Sequence, residues 1–272
     1  MSLQGRTWHQ SVEVFAVSLF FALALWWGML HLTNASSDAL QLWAASYQAV
    51  AFLGAVAGLL ISIHWGGLKS VVGRAVFAFS LGLLFQCFGQ SSYSWYIYYL
   101  HEPVPYPSIG DVGYFGSIFC YLYGVWMLAQ ASGVRISLRS LRSQTVAVLI
   151  PLVFLTISYL MFLRGYTFDW SQPLKIFLDF GYPFGQAIYV SLALLTYLLS
   201  RRVLGGIMRL PILLFLGALV LQYLSDFSFL YQASAGTWYA GGWNDFLYLV
   251  SYLAMTVALL FVGHTLEKIK AR

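Results

Sequence analysis

Eight long apolar runs follow one another along this chain, at residues 11–33, 43–64, 75–100, 110–132, 145–164, 173–200, 207–231 and 243–264. A helix that crosses the hydrocarbon layer needs roughly 20 mostly apolar residues, so each run is long enough to span it. The composition agrees: 60% of the 272 residues are apolar and 8% are charged, where a water-soluble domain carries about 25% charge. The chain therefore reads as an all-α integral membrane protein of about eight transmembrane helices. The connections are short, such as Val134 to Ser143, and leave no room for a sizeable aqueous domain. Residues 1–272 form one bundle, and any chemistry belongs inside it or at its rims. The first run is too long for the core of a cleaved signal peptide, and no small-residue cleavage pattern follows before Asn34, so it reads as a retained helix.

Basic residues in short loops mark the cytoplasmic side of a membrane protein. Arg6, Lys69, Arg74, Arg135, Arg139, Arg142, Arg201, Arg202, Arg209, Lys268, Lys270 and Arg272 all fall on one side, leaving only Arg164 and Lys175 at opposite ends. Asp38, Glu102, Asp111, Asp169, Asp179, Asp226 and Asp245 map to the other side. Both termini are thus expected in the cytoplasm. The pI of about 9.1 is no sign of nucleic-acid binding, because the positive charge is spread over juxtamembrane loops. It suits contact with anionic membrane lipids.

The chain also repeats itself. LLFQCFGQSSYSWY in the third run matches LVLQYLSDFSFLY in the seventh, pairing Gln86 with Gln222 and Gln90 with Asp226. The fourth and eighth runs share D-x-x-Y-x-x-S, so Asp111, Tyr114 and Ser117 correspond to Asp245, Tyr248 and Ser251. Tyr47 and Tyr182 begin looser likenesses in the second and sixth. Four helices separate each pair, so both halves enter the membrane from the same side. The expected architecture is a parallel 4+4 internal pseudo-repeat, with halves at 11–132 and 145–266.

These paired polar positions supply the candidate ligand-binding residues. Gln86 and Gln90 stand one helical turn apart, as do Gln222 and Asp226, so each pair shares a face near the extracytoplasmic end. A carboxylate in a membrane helix is costly unless partnered, which singles out Asp226 and then Asp179, beside Tyr182 and Gln186. A hydrogen bond that only locks the bundle is the alternative role. Asp111 and Asp245 lie in first helical turns, where capping alone would explain them. Pro103, Pro105 and Pro107 stiffen the connection that carries Tyr106, whereas QASAGTWYAGGWND is looser; a fixed wall and a movable lid are expected. Tyr93, Trp95, Tyr96, Tyr98 and Tyr99, with Tyr231, Trp238, Tyr239 and Trp243, are denser than a belt requires and suit an aromatic pocket for a hydrophobic or cationic small ligand, with a plain interfacial belt as the alternative.

Other chemistries lack their residues. The sequence holds no H-E-x-x-H, C-x-x-C, G-x-S-x-G or phosphate-binding glycine loop, and His9, His31, His64, His101 and His264 lack ligand spacing. No metal site, catalytic residue or enzymatic role is expected, and no cofactor is specified. Cys87 and Cys120 read as free core thiols. No lysine lies mid-helix, where a retinal Schiff base would form.

The stretch FGQSSYSWYIYYLHEPVPYPSIGDVGYFGSIFCYLYGVWML resembles the N-terminal multi-helix membrane sensory regions of bacterial diguanylate cyclases and histidine kinases. Pro105, Tyr106, Pro107, Ser108, Asp111 and Tyr114 carry their P-[FY]-P-S-x-x-D-x-x-Y pattern, while Gln90 and Tyr93 stand where those relatives have Glu and Trp. The likeness implies a sensor in the bacterial cytoplasmic membrane whose last helix relays a ligand signal to a cytoplasmic output module. This chain ends at HTLEKIKAR, so the output is either carried by a longer protein or by a separate protein partner or homo-oligomer. The alternative function is an accessory subunit of a larger membrane complex that binds lipid, quinone or pigment.

Overall fold

The computed structural model describes residues 8–132, 141–200 and 208–270. Apolar backbone can enter lipid only with its N–H and C=O groups paired internally, and the described residues meet that demand with helices and no strand. Eight of these helical stretches are long and apolar enough to cross a membrane. They comprise α1 (Trp8–Leu32), α2 (Ser37–Ala44) with α3 (Gln48–His64), α4 (Val71–Ser94), α5 (Gly110–Ala131), α6 (Leu141–Ser158), α7 (Pro173–Ser200), α8 (Arg209–Ser234) and α9 (Trp243–Lys270). The spans match the sequence reading within a turn or so, with two extensions: the second starts at Ser37 and the last runs to Lys270. Ser36 accounts for the first, since its hydroxyl accepts the Ala39 N–H and caps α2. Lys268 and Lys270 in the last turn of α9 favour the second, because cations complement the carbonyl end of a helix.

Local chemistry shapes the helices around the interior. The break between α2 and α3 leaves the Ala44 carbonyl to side-chain donors. Pro183 lies inside α7, where its ring removes one backbone hydrogen bond and faces the interior cavity. α4 and α6 each end in a wider π-helical turn, Trp95–Leu100 and Tyr159–Leu163. Gly113 lets α5 lie directly on α4, since a Cβ there would stand 2.5 Å from the Phe85 carbonyl oxygen and 2.7 Å from the Gly89 nitrogen.

The core is built by α3, α4, α5, α7, α8 and α9. Phe79 of α4 stacks on Phe215 of α8 at 4.6 Å, among the fully buried Leu83, Leu219 and Leu259. By contrast α1 and α6 are peripheral: only 11% of the apolar window of each is buried, against 61% for α7 and α9. One buried and two half-buried indoles hold the helices together, Trp43 donating to the Leu23 carbonyl, Trp27 to Gly241 and Trp65 to Val262. At the far end of α1, His9 meets Glu267 at 2.8 Å and Glu13 lies 3.6 Å from His264. Arg6, Arg135, Arg139, Arg201, Arg202 and Arg272, on which much of the orientation reading rests, lie outside the described residues.

Candidate functional site

A cavity of about 660 Å³ lies between α4, α5, α7, α8 and α9, at the end of the bundle where the connections 101–109, 164–172 and 235–242 meet. Of the candidate ligand-binding residues Gln86, Gln90, Tyr93, Asp111, Tyr114, Asp179, Gln222, Asp226, Asp245 and Tyr248, all except Gln222 line it. The four carboxyl groups among its lining residues, Asp111, Asp179, Asp226 and Asp245, face a single ammonium, Lys175.

The floor of the cavity is a set of hydrogen bonds between adjacent helices. On α4, Gln86 donates to the Ser117 hydroxyl at 2.8 Å and accepts from Tyr252 at 3.3 Å. One turn on, Gln90 accepts from the Tyr114 hydroxyl at 2.7 Å and donates to the freed Ala44 carbonyl at 3.2 Å. Between α8 and α9, Ser251 donates to Gln222 at 2.6 Å, and Tyr248 donates to Asp226 at 2.9 Å. Gln222 is thus turned away from the cavity, spent on Ser251 and on Asp226, to which it donates at 3.0 Å. Asp226 is 5% exposed, and with Tyr189 at 2.8 Å it collects three donors. That satisfies a buried carboxyl group which would otherwise be very costly in this setting.

The other three carboxyls differ in how much of their capacity is used. Asp111 reaches back to the Ser108 backbone N–H at 2.6 Å and hydroxyl at 3.2 Å, as a first-turn carboxylate does, but its second oxygen accepts from Tyr182 at 2.6 Å. Capping is therefore only half of its role. Asp179 accepts from Tyr106 at 2.7 Å and Tyr166 at 2.6 Å, one on each oxygen, and so ties two connections to α7. Asp245 takes the Gly241 N–H at 2.7 Å on Oδ2 and no hydrogen bond on Oδ1 among the described residues. The Tyr47 hydroxyl and the Trp238 indole N–H, both buried and without a hydrogen-bond partner, are directed toward it. Burial at the mouth and the Asp179 bond push the Tyr106 phenol above its usual range. Tyr166 is pushed up to about 12, chiefly by the same carboxylate. On the neighbouring loop, hydrogen bonds from Ser171 hold Asp169 below the usual carboxylate range.

The aromatic clusters divide between cavity and belt. Of the two dense clusters, only Tyr93 and Trp238 line the cavity. Trp95, Tyr98, Tyr99, Tyr231, Tyr239 and Trp243 are all at least 44% exposed, as residues of an interfacial belt are. The π-helical turn at Trp95–Leu100 carries Trp95, Tyr98 and Tyr99 out of register with the inward face of α4. The wall comes instead from Tyr93, Tyr114, Phe162, Tyr166, Phe229 and Trp238, which stand on four different elements and two connections. Tyr166 was not singled out from the sequence, and nothing in its local spacing announces its bond to Asp179. The contacts between α1 and α9 do have a signal in the sequence: H-x-x-x-E at His9 and H-x-x-E at His264 place an acid one turn from each histidine, and the two helices exchange them. Among the described residues no three His, Cys, Asp or Glu side chains form a group that could hold a metal ion. Cys87 and Cys120 are unpaired thiols.

The chain matches no family model, no curated protein and no solved structure.

Proposed function

We propose that this chain is a ligand-binding sensory bundle of the bacterial cytoplasmic membrane, with both termini in the cytoplasm and the cavity near the outer face. The observation that carries the reading is the 660 Å³ cavity lined by four carboxyl groups and by donors from helices far apart in sequence. Pockets of this size suit small molecules, and polar groups converging on an otherwise apolar wall give orientation and specificity. The likeness to the sensory regions of diguanylate cyclases and histidine kinases points the same way. So does the recurrence of the same residue pairings, Gln86 with Ser117 and Gln90 with Tyr114 in one part, Gln222 with Ser251 and Asp226 with Tyr248 in the other, although the serine accepts in the first and donates in the second. That recurrence supports two parallel four-helix halves sharing one site at their junction.

In this reading α9 is the output element. Asp245 and Tyr248 stand at the cavity, and the same helix continues to Lys270 at the basic end. A ligand that binds one arrangement of the halves better than another shifts the population toward it, and α9 moves with respect to the loop holding Lys69. The role is non-catalytic, and the receiver is a cytoplasmic output module or protein partner.

Purification of the full chain from its host membrane, followed by native mass spectrometry, tests the proposal. A small molecule retained in one-to-one ratio is the expected result, together with a changed distance between spin labels at positions 69 and 270 when that molecule is added back. An empty protein whose label distance ignores every small-molecule fraction of the host would overturn it. The peripheral α1 and α6, with 11% of each window buried, favour a second reading as an accessory subunit packed on a larger complex. Stoichiometric purification with such a complex would select it.

A further inference from the structure

The cavity has a chemical bias that the sensory reading leaves unspecified. Its acidic groups outnumber its single ammonium four to one. Three of those carboxyls have donors on both oxygens, Asp111 from Ser108 and Tyr182, Asp179 from Tyr106 and Tyr166, and Asp226 from Tyr189, Tyr248 and Gln222. Asp245 is the exception: it is 3% exposed, lines the cavity, and takes one close hydrogen bond, from the Gly241 N–H, while the Tyr47 hydroxyl and the Trp238 indole N–H directed toward it stop short of hydrogen-bond distance and have no other partner.

Beside it four rings cluster, three of their four contacts edge to face and one tilted. Tyr93 stands 5.2 Å from Tyr114 and 6.4 Å from both Phe229 and Trp238, with interplanar angles of 85°, 60° and 76°. Phe229 and Trp238 close the group at 5.8 Å and 81°. Rings steeply inclined to one another form walls, and their faces are electron-rich, which attracts an organic cation more strongly once water is removed. All four line the cavity.

We propose that the cavity takes an organic ammonium compound, its cationic nitrogen at Asp245 Oδ1 within the box of Tyr93, Tyr114, Phe229 and Trp238, and its apolar body directed toward Phe162 and Leu230. This rests on the ligand-binding reading given above and specifies its ligand class. The box alone would accept any apolar group of the right size. The excess of carboxyl groups, with Asp245 in the wall holding one close hydrogen bond, is what selects positive charge, because an ammonium group supplies a hydrogen bond and a compensating charge, a neutral hydroxyl supplies the hydrogen bond alone, and an anionic head supplies neither.

The test uses the full chain in lipid nanodiscs and three probes on one skeleton: 4-phenylbutylamine, 4-phenyl-1-butanol and 4-phenylbutyrate, positive, neutral and negative at neutral pH. Binding is followed by thermal unfolding and by tryptophan fluorescence. The amine is expected to bind at least about tenfold more tightly than the alcohol, with the carboxylate weakest. Asp245→Asn, which keeps an oxygen for the Gly241 N–H, is expected to remove that preference. Should this variant fail to fold, Trp238→Leu on the connection is expected to weaken the amine by a similar factor and to spare the alcohol more. Equal or tighter binding of the alcohol or carboxylate would overturn the ammonium assignment while leaving the sensory reading intact. So would a folded Asp245→Asn or Trp238→Leu that still prefers the amine. Binding of none of the three would overturn both.

Discussion

Tyr182 donates a 2.6 Å hydrogen bond to Asp111, tying the middle of α7 to the first turn of α5 across 71 residues of sequence. Both side chains line the cavity, and Tyr182 is 8% exposed. Tyr182→Phe removes only the hydroxyl and leaves one Asp111 oxygen facing the cavity. A loss of about 1 kcal/mol in stability is expected, measured by thermal or denaturant unfolding in detergent. An unchanged midpoint would mean that water replaces the phenol at no cost.

Asp226 separates a scaffold role from a ligand role. Asp226→Asn keeps an acceptor for Tyr248 or Tyr189, whereas Asp226→Leu strands both hydroxyls and the Gln222 amide. Each buried polar group left unpaired costs about 1–3 kcal/mol, so the Leu variant should be much less stable than the Asn variant. Comparing the unfolding of the two checks this, and equal stabilities would show that the carboxyl does not hold the helices together.

These two sites show what is legible in a sequence of this kind. The spans are, because lipid demands long apolar runs and the runs are nearly uninterrupted. Buried carboxyls are too, since Asp226 stands in LVLQYLSDFSFLY with little reason to be there unless it is partnered. Partners at long sequence separation are not: Tyr166 and Tyr106 meet on Asp179 only because three elements converge there. The direction of an aromatic residue at a helix end is equally hidden, since one π-helical turn sends Trp95 and Tyr99 outward while Tyr93, two residues before Trp95, points in.

The Tyr166 bond to Asp179 makes a signature in alkali. The phenol is held up at about 12, above the ordinary value of 10. In the native state it therefore keeps its proton where the unfolded chain has lost it. The stabilisation is complete below about pH 10 and is lost as pH rises through about 12. Ultraviolet titration of the wild type against Tyr166→Phe should show the missing phenol ionising near the upper value, and Asp179→Asn should bring it down toward the ordinary one. A Tyr166 that already titrates normally in the wild type contradicts the bond.

At the opposite end, α1 is held to α9 by two histidine–carboxylate contacts, and only 11% of its apolar window is buried. With so little packing, the His9–Glu267 contact carries a large share of the docking. Glu267→Ala is expected to loosen the start of α1, seen as faster hydrogen exchange around residues 9–13 with the core helices unchanged. Unaltered exchange would mean that Trp27, through its bond to Gly241, holds the helix without help from this end.

Gly113 offers the strictest test of the α4–α5 contact that positions Gln90 against Tyr114. A Cβ at this position would meet backbone, the Phe85 carbonyl oxygen at 2.5 Å and the Gly89 nitrogen at 2.7 Å, and backbone cannot swing aside as a side chain does. Gly113→Ala should thus push the helices apart and cost about 1–3 kcal/mol, despite the better helix propensity of alanine. The separation would lengthen the 2.7 Å bond from Tyr114 to Gln90 and widen the cavity wall. A lower yield of monodisperse protein and an earlier thermal midpoint are the expected readouts. A variant as stable as the wild type would show that the two helices do not touch at this glycine, and the geometry of Gln90 and Tyr114 at the cavity would then need another source.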